Sequence, residues 1–214
     1  MPTRKTAQTS SRTIGRLSLY RRLLNNLLAE RVENVYSHQL ASMAGATAAQ
    51  VRRDIMAIGY SGSPTRGYDV RQLIEAIGNF LDEPQLQGVA IVGIGNLGRA
   101  LMSYFAGRRP KLAITAGFDV SPEKVGRVIN GCRCYPLEEL EAIVTEQGIK
   151  QAIIATPAEA AQEAADRLVR AGVRGILNFA PIPLRVRPDV YVEDLDMTMS
   201  LEKVAYFART GESR

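Results

Sequence analysis

Tryptophan is absent from this sequence, histidine occurs once, cysteine twice, and aromatic residues make up only 6% of the 214 positions. Each scarcity excludes something. Two cysteines cannot build the disulfide framework that holds small secreted domains together. They stand as Cys132-Arg133-Cys134, with no second pair to complete a zinc set. The expected state is a pair of reduced thiols, with a redox or metal role as the alternative. No apolar run approaches the roughly 20 residues a membrane span needs. The opening "MPTRKTAQTSSR" is polar and basic with no apolar stretch behind it, so neither a signal segment nor a membrane anchor is expected, and a cytoplasmic location is.

What is plentiful is positive charge in one place. The net charge is +5, yet residues 1–80 carry 11 Lys/Arg against 5 Asp/Glu, while the remainder carries 16 against 17. A basic excess confined to one segment is the footprint of a nucleic-acid-binding module joined to a neutral partner domain.

That first segment reads as a helical reader of DNA. Leu17, Tyr20, Leu24, Leu27 and Leu28 fall at helical spacing. A second helix, "HQLASMAG", is expected after an N-cap at Ser37 and to stop at Gly45. A third opens with Thr47 and Gln50 in capping-box spacing and runs "AAQVRRDIMAIG", with Val51, Ile55 and Ile58 facing the core. Two helices joined by a tight turn form a helix-turn-helix, over about 21–60, whose second helix enters the major groove. Gln50, Arg52 and Arg53 are its polar donors. "YSGSPTRGY" follows with the composition of a wing, Arg66 near its tip, and "DVRQLIEAIGNFL" closes the domain. His38 reads as a surface residue of the second helix or as a phosphate contact. The plainer alternative for the whole segment is a solvated charged face. "DEPQLQG" is the linker.

The second half is an α/β pattern. "VAIV" is a strand apolar throughout, Gly93-Ile94-Gly95-Asn96-Leu97-Gly98 is a G-x-G-x-x-G loop, and "NLGRALMSYF" is helical. Such a loop aims backbone amides and a helix N-terminus at one place, which favours a pyrophosphate. "LAITAGFDV" ends near Asp119, placed to accept ribose hydroxyls and repel a 2′-phosphate, so NAD(H) is preferred to NADP(H). A tight turn with no ligand is the alternative. "SPEKVGRVI" is followed by a short strand near Arg133, then by helices "PLEELEAIVTEQG" and "PAEAAQEAADRLVRAG" alternating with strands "KQAIIAT" and "VRGILNF", giving a Rossmann-like, doubly wound parallel sheet. Thr156-Pro157 and Asn178-Phe179 end two strands and are expected to line the nicotinamide half, though a turn-forming role fits them equally. "VEDLDMTMSLEKVAYFART" reads as one more strand and a terminal amphipathic helix with Leu201, Val204, Ala205 and Ala208 on one face. No histidine follows residue 38 and nothing after the nucleotide fold is large enough to hold a substrate, so the nucleotide looks sensed rather than consumed.

Taken in order, "AAQVRRD", a wing ending in "GYDV", "GIGNLGRAL", "GFDVSPEKVG", "PAEAAQEAADRLVRAGVRGILNFAP" and "VEDLDMTMSL" resemble Rex, the bacterial redox-sensing transcriptional repressors, from residue 14 to the C-terminus. The resemblance implies a homodimer that exchanges its C-terminal helix, binds inverted-repeat operators when NADH is low and releases them when NADH binds. It implies no catalysis. It implies a winged-helix domain over 1–81, an NAD(H)-binding domain over 86–195 and a dimerisation helix over 196–214. The dinucleotide is expected on Gly93, Ile94, Gly95, Asn96, Leu97, Gly98, Asp119, Val120 and Lys124. Tyr104 is expected to meet Asp196 of the other subunit near the nicotinamide, Asp196 turning to Arg22 in the other state. DNA is expected on Thr47, Ala49, Gln50, Arg52, Arg53, Arg66 and Tyr68. Two departures stand out: Ser63-Pro64-Thr65-Arg66 replaces the family's usual Lys-Arg-Gly-Val in the wing, and Met197 replaces an aromatic residue, which implies a looser nicotinamide pocket. The alternatives are an NAD-dependent oxidoreductase with an appended DNA-binding domain, and a regulator sensing another adenosine ligand such as coenzyme A.

Overall fold

The structure is a computed structural model describing residues 9–108 and 111–211. The basic residues 1–8 and the last three positions of the expected 196–214 segment lie outside the described residues. Two compact units divide the chain, Met1–Glu83 and Pro84–Arg214.

Among the described residues, the first unit is four helices and a two-stranded ribbon: α1 (Ser11–Ala29), β1 (Asn34–Val35), α2 (Ser37–Ala44), α3 (Ala48–Ala57), β2 (Tyr68–Asp69) and α4 (Val70–Leu81), with β1 and β2 antiparallel. Leu17, Tyr20 and Leu24 of α1 close on Leu40, Val51, Ile55, Leu73 and Ile77, while Leu27, Leu28 and Ile58 are only partly buried. Gly45 takes the left-handed conformation at φ 61° that ends α2 and turns the chain into α3. Two caps differ from expectation. Tyr36, not Ser37, is the N-cap of α2, its amide donating to the Gln39 side chain at 2.8 Å, so Ser37 is already helical. Thr47 does cap α3, accepting from the Gln50 amide at 3.2 Å, but Gln50 does not reach back to complete the box. Its side chain is drawn four residues on, to Asp54, at 2.8 Å.

Asp54 is the hidden centre of this unit. Although a carboxylate on an otherwise basic helix, it is only 3% exposed. Arg16 grips it from α1 with Nε to Oδ2 at 2.6 Å and a second donor to Oδ1 at 2.8 Å, and the Tyr20 hydroxyl donates at 3.1 Å. A buried charge held by this many donors fixes how α3 sits on α1.

The second unit is a seven-stranded sheet in the order β5-β6-β4-β3-β7-β8-β9, formed by β3 (Gln87–Val92), β4 (Leu112–Asp119), β5 (Val128–Ile129), β6 (Cys132–Pro136), β7 (Gln151–Ile154), β8 (Gly175–Asn178) and β9 (Tyr191–Asp194). All pairings are parallel except β5 with β6. α6 (Leu140–Glu146) and α7 (Ala158–Arg170) cover one face, where Val92, Phe118 and Ile154 meet Leu140, Ala161 and Leu168. α5 (Asn96–Phe105) covers part of the other, over Ile91, Cys132, Cys134 and Ile153. The strand–helix alternation breaks at "SPEKVGRVI", which makes turns and the short antiparallel β5 in place of a crossover helix. Strand order reverses beside β3, and in such sheets ligands sit beyond the carboxyl ends of the strands at that point. α8 (Met197–Thr210) ends the described chain with no buried residue.

Candidate dinucleotide site and recognition helix

β3 ends at Val92 and delivers the glycine loop at the carboxyl edge of the sheet. The three glycines do different work. Gly93 sits at φ 92°, and a Cβ there would lie 2.6 Å from the Ala155 carbonyl oxygen; at Gly98 it would lie 2.0 Å from that of Gly93. Both are required by backbone against backbone. Gly95 is different: a Cβ there meets nothing within 4 Å. It caps α5, which has no side-chain cap bond, so that helix end offers amides to whatever occupies the space. Asn96 is exposed beside it, its Oδ1 accepting from Arg99 at 3.0 Å, and Leu97 is half-buried. Ile94 is not part of the open surface. Its side chain is fully buried and its amide donates to Asp119 Oδ2 at 2.7 Å.

Asp119, 8% exposed at the end of β4, ties the loop to the neighbouring strand. Its Oδ1 accepts from the Ser121 amide at 2.9 Å, and Oδ2 also accepts from Lys124 Nζ at 2.9 Å. Burial pushes this carboxyl up, but Lys124 and the Ser121 and Ile94 amides outweigh it and hold the group below the ordinary carboxylate value. It is therefore an ionised acceptor of fixed orientation. Val120 follows it with its side chain largely in solvent, an apolar surface next to a polar acceptor.

On the other side of β3, Thr156, two residues beyond β7, has a buried Oγ1 with no hydrogen-bond partner among the described residues. A buried hydroxyl without a partner costs about 1–3 kcal/mol, so it points to a polar atom that a ligand would bring. Pro157 caps α7 and is exposed. Asn178 is brought to the same edge but its amide is spent within the protein: Nδ2 donates to Ile182 O at 2.8 Å and Asp194 Oδ1 at 2.7 Å, and Oδ1 accepts from the Ala180 amide at 3.0 Å. It shapes the loop after β8, and Phe179 packs partly into the core under α5. Tyr104, near the end of α5, is half-exposed with the Arg108 guanidinium 4.0 Å above its ring. Asp196 caps α8, accepting from the Met199 amide at 2.8 Å, and Met197 is exposed in the first turn.

In the first unit, Ala49, Arg52, Arg53 and Met56 form the exposed face of α3. Arg52 donates to Ser37 Oγ at 3.0 Å and Arg53 to Gln50 Oε1 at 2.9 Å. Gln50 is therefore committed to its own helix. Arg66 is exposed at the wing. Tyr68, expected on the DNA side, is instead a core residue at 7% exposure, because its ring fills the space directly behind Gly62, where a Cβ would lie 2.5 Å from it. It supports the wing from below. Met56 carries no signal in the sequence, because periodicity marks faces and an isolated methionine at the end of a polar face makes no pattern.

The thiols lie outside this site. Cys132 and Cys134 are both buried under α5, and burial, with Cys134 adding to it, pushes Cys132 up to about 11. Native protein should resist iodoacetamide at neutral pH while denatured protein takes label at both cysteines. Fast native labelling would restore the redox reading.

Comparison with known proteins agrees with this arrangement at both ends. A family model described as "CoA binding domain" matches residues 85–182, and one described as "Putative DNA-binding protein N-terminus" matches residues 8–55. A redox-sensing transcriptional repressor Rex from Roseiflexus sp. (strain RS-1) is 44% identical, over 91% of this chain and 88% of its own length. Another, from Syntrophobacter fumaroxidans, is 39% identical over 97% and 99%. The chain belongs to the Rex family. Among solved Rex-family structures, RSP in complex with β-NAD+ and operator DNA superposes with a TM-score of 0.87 at 33% identity, covering 95% of this chain and 94% of that one. RSP in complex with β-NADH gives 0.84 at 32% identity, with 96% of each chain covered. The winged helix-turn-helix and Rossmann-like units are thus the two halves of a Rex fold.

Proposed function

We infer that this chain is a transcriptional repressor that reads the NADH/NAD+ balance, holding operator DNA when NADH is scarce and leaving it when NADH binds. The observation that carries this reading is the 44% identity, over 91% of the chain, to a redox-sensing repressor in a chain that joins an open glycine cradle to a basic recognition helix. Gly93–Gly98 would carry the pyrophosphate, chiefly through the amides at the start of α5. Asp119 would accept from the adenosine ribose with Val120 and Lys124 beside it, and Thr156 with Pro157 would meet the nicotinamide side. The bound dinucleotide supplies no bond-breaking here, only a charge difference between its two nicotinamide forms, and the protein acts without catalysis. α3 would enter the major groove with Ala49, Arg52 and Arg53 toward the base edges and Thr47 near the backbone.

The same reading makes the protein a cytoplasmic homodimer on an inverted repeat. α8 exposes Met197, Met199, Leu201, Val204, Tyr206 and Phe207. The sheet face beside α5 is open around a cavity of about 340 Å³ lined by Val89, Phe105, Ile114, Ile153 and Leu177. Apolar surface of this extent suits a second copy of the chain. Tyr104 would then meet the partner's Asp196, whose carboxylate would turn to Arg22 in the DNA-bound state. NADH and operator each prefer one arrangement, so each weakens the other.

A gel shift tests this. NADH should release the protein from operator at concentrations where NAD+ does not, and equal retention with both forms would overturn the reading. Coenzyme A is the second ligand to examine, because the matched family model carries that description. An ionised Asp119 disfavours its ribose phosphate, so thermal stabilisation should follow NADH over coenzyme A and NADPH. Substrate-dependent turnover of NADH would favour the oxidoreductase alternative.

A further inference from the structure

The entrance to α2 carries an unusual residue for a helix cap. Ser, Thr, Asp and Asn are favoured there because a short side-chain oxygen can reach the first amides. Tyr36 makes no such side-chain bond. Its hydroxyl reaches 29 residues along the chain instead and donates to the Thr65 carbonyl at 2.7 Å. The His38 ring stacks on it, with centroids 5.6 Å apart and planes 16° from parallel.

Thr65 belongs to a wing that is already tightly closed. Ser63 and Gly67 exchange backbone hydrogen bonds at 2.7 and 2.8 Å, and the Ser63 hydroxyl lies 3.0 Å from that of Thr65. Gly67, at φ 75°, presses against the chain just before Tyr36, since a Cβ there would lie 2.5 Å from the Val35 carbonyl oxygen. Arg66 stands between Thr65 and Gly67 with its side chain in solvent. The wing and α3 enclose a cleft of about 380 Å³, lined by Tyr36, Ser37, Arg52, Met56 and Pro64 among others. These bonds close the loop on itself, whereas the one from Tyr36 ties Thr65 to the head of α2.

We propose that Tyr36 is the positioning residue of the wing: by holding Thr65 it keeps Arg66 at one height beside α3, ready for the DNA backbone or minor groove flanking the half-site. The inference rests on the operator binding proposed above. Without the hydroxyl the loop stays closed but pivots, and Arg66 must be ordered on the DNA at each encounter. One net hydrogen bond corresponds to roughly a 2- to 10-fold change in an equilibrium, which sets the size of the effect.

The test is a double-mutant cycle of wild type, Tyr36→Phe, Arg66→Ala and the double variant, against the duplex that wild-type protein selects from a randomised pool. Binding is followed by fluorescence anisotropy across a salt series. Arg66→Ala should weaken binding and reduce the salt slope by about 0.9 for each phosphate the arginine neutralised. Tyr36→Phe should weaken binding roughly 2- to 10-fold, with NADH affinity and unfolding midpoint unchanged. In the Arg66→Ala background, Tyr36→Phe should have no further effect. Equal weakening in both backgrounds would make the hydroxyl a direct DNA ligand or a mere structural prop, and would overturn the proposal. So would wild-type binding by either single variant. If the pool yields no selected duplex at all, the proposed function itself fails.

Discussion

Gly95→Ala is expected to give a folded protein that grips its operator and no longer responds to NADH. The variant is tolerated on structural grounds: Gly95 has φ −77°, available to any residue, and beyond its own chain neighbours a Cβ meets nothing within 4 Å among the described residues. What the methyl enters is the space where the pyrophosphate must approach the amides of α5. Losing two hydrogen bonds to a charged group, at about 1.5 kcal/mol or more each, weakens binding on the order of 100-fold. Calorimetry should show that loss beside an unchanged unfolding midpoint. Gly98→Ala is the contrast, since its Cβ would sit 2.0 Å from the Gly93 carbonyl oxygen and the loop would have to rebuild. Undiminished NADH affinity in Gly95→Ala would mean that the dinucleotide does not lie over this loop.

Asp54→Ala is expected to abolish the DNA-binding half while sparing nucleotide binding. Removing one side of a buried ion pair costs about 3–5 kcal/mol, a large share of what a domain of this size possesses. Arg16 would be stripped of both its hydrogen bonds to Asp54, and the fully buried Tyr20 of the acceptor for its hydroxyl. Chemical denaturation should show an early transition that removes operator binding, with NADH titrating normally afterwards. A single unshifted transition would contradict the account. The same network sets the pH limits of this unit. Burial raises the Asp54 carboxyl, but Arg16, Gln50 and Tyr20 outweigh it and hold the group below its ordinary value of 3.8. Its contribution is complete above that value and disappears as pH falls through the lower, folded one. At the alkaline end, burial and Asp54 push Tyr20 from 10.0 up to about 12. Its share of stability is therefore intact below pH 10.0 and is lost as pH climbs toward 12.

Both of these features are only partly legible in the sequence. The glycine loop is readable because its residues answer to local rules: an apolar strand, positive φ, and a helix start. Asp119 is readable from its distance along the chain, but its ties to Ile94, Ser121 and Lys124 are not, since spacing predicts reach and not occupancy. Asp54 is hidden because its partners, Arg16 and Tyr20, lie 38 and 34 residues away on another helix. Within "AAQVRRD" it looks like one more solvated charge. Gln50 shows the same limit, since its capping-box position is right and the nearby carboxylate outcompetes the box. Tyr68 departs from its expected place, and Tyr36 carries no expectation in the sequence at all. The aromatic next to the wing is core, and the one at the head of α2 reaches the wing, because burial depends on how β1 pairs with β2 and no local pattern encodes that. The break at "SPEKVGRVI" is invisible because parallel-sheet alternation gives no sign of a crossover made from turns.

The central claim is that one chain carries two sites whose ligands oppose each other, and the most direct measurement is a closed linkage cycle by calorimetry. NADH affinity is measured with and without saturating operator duplex, and operator affinity with and without saturating NADH. The account predicts that NADH weakens operator binding and that operator weakens NADH binding by the same factor, with NAD+ giving a smaller factor. An NADH affinity that is identical on free and operator-bound protein would contradict it.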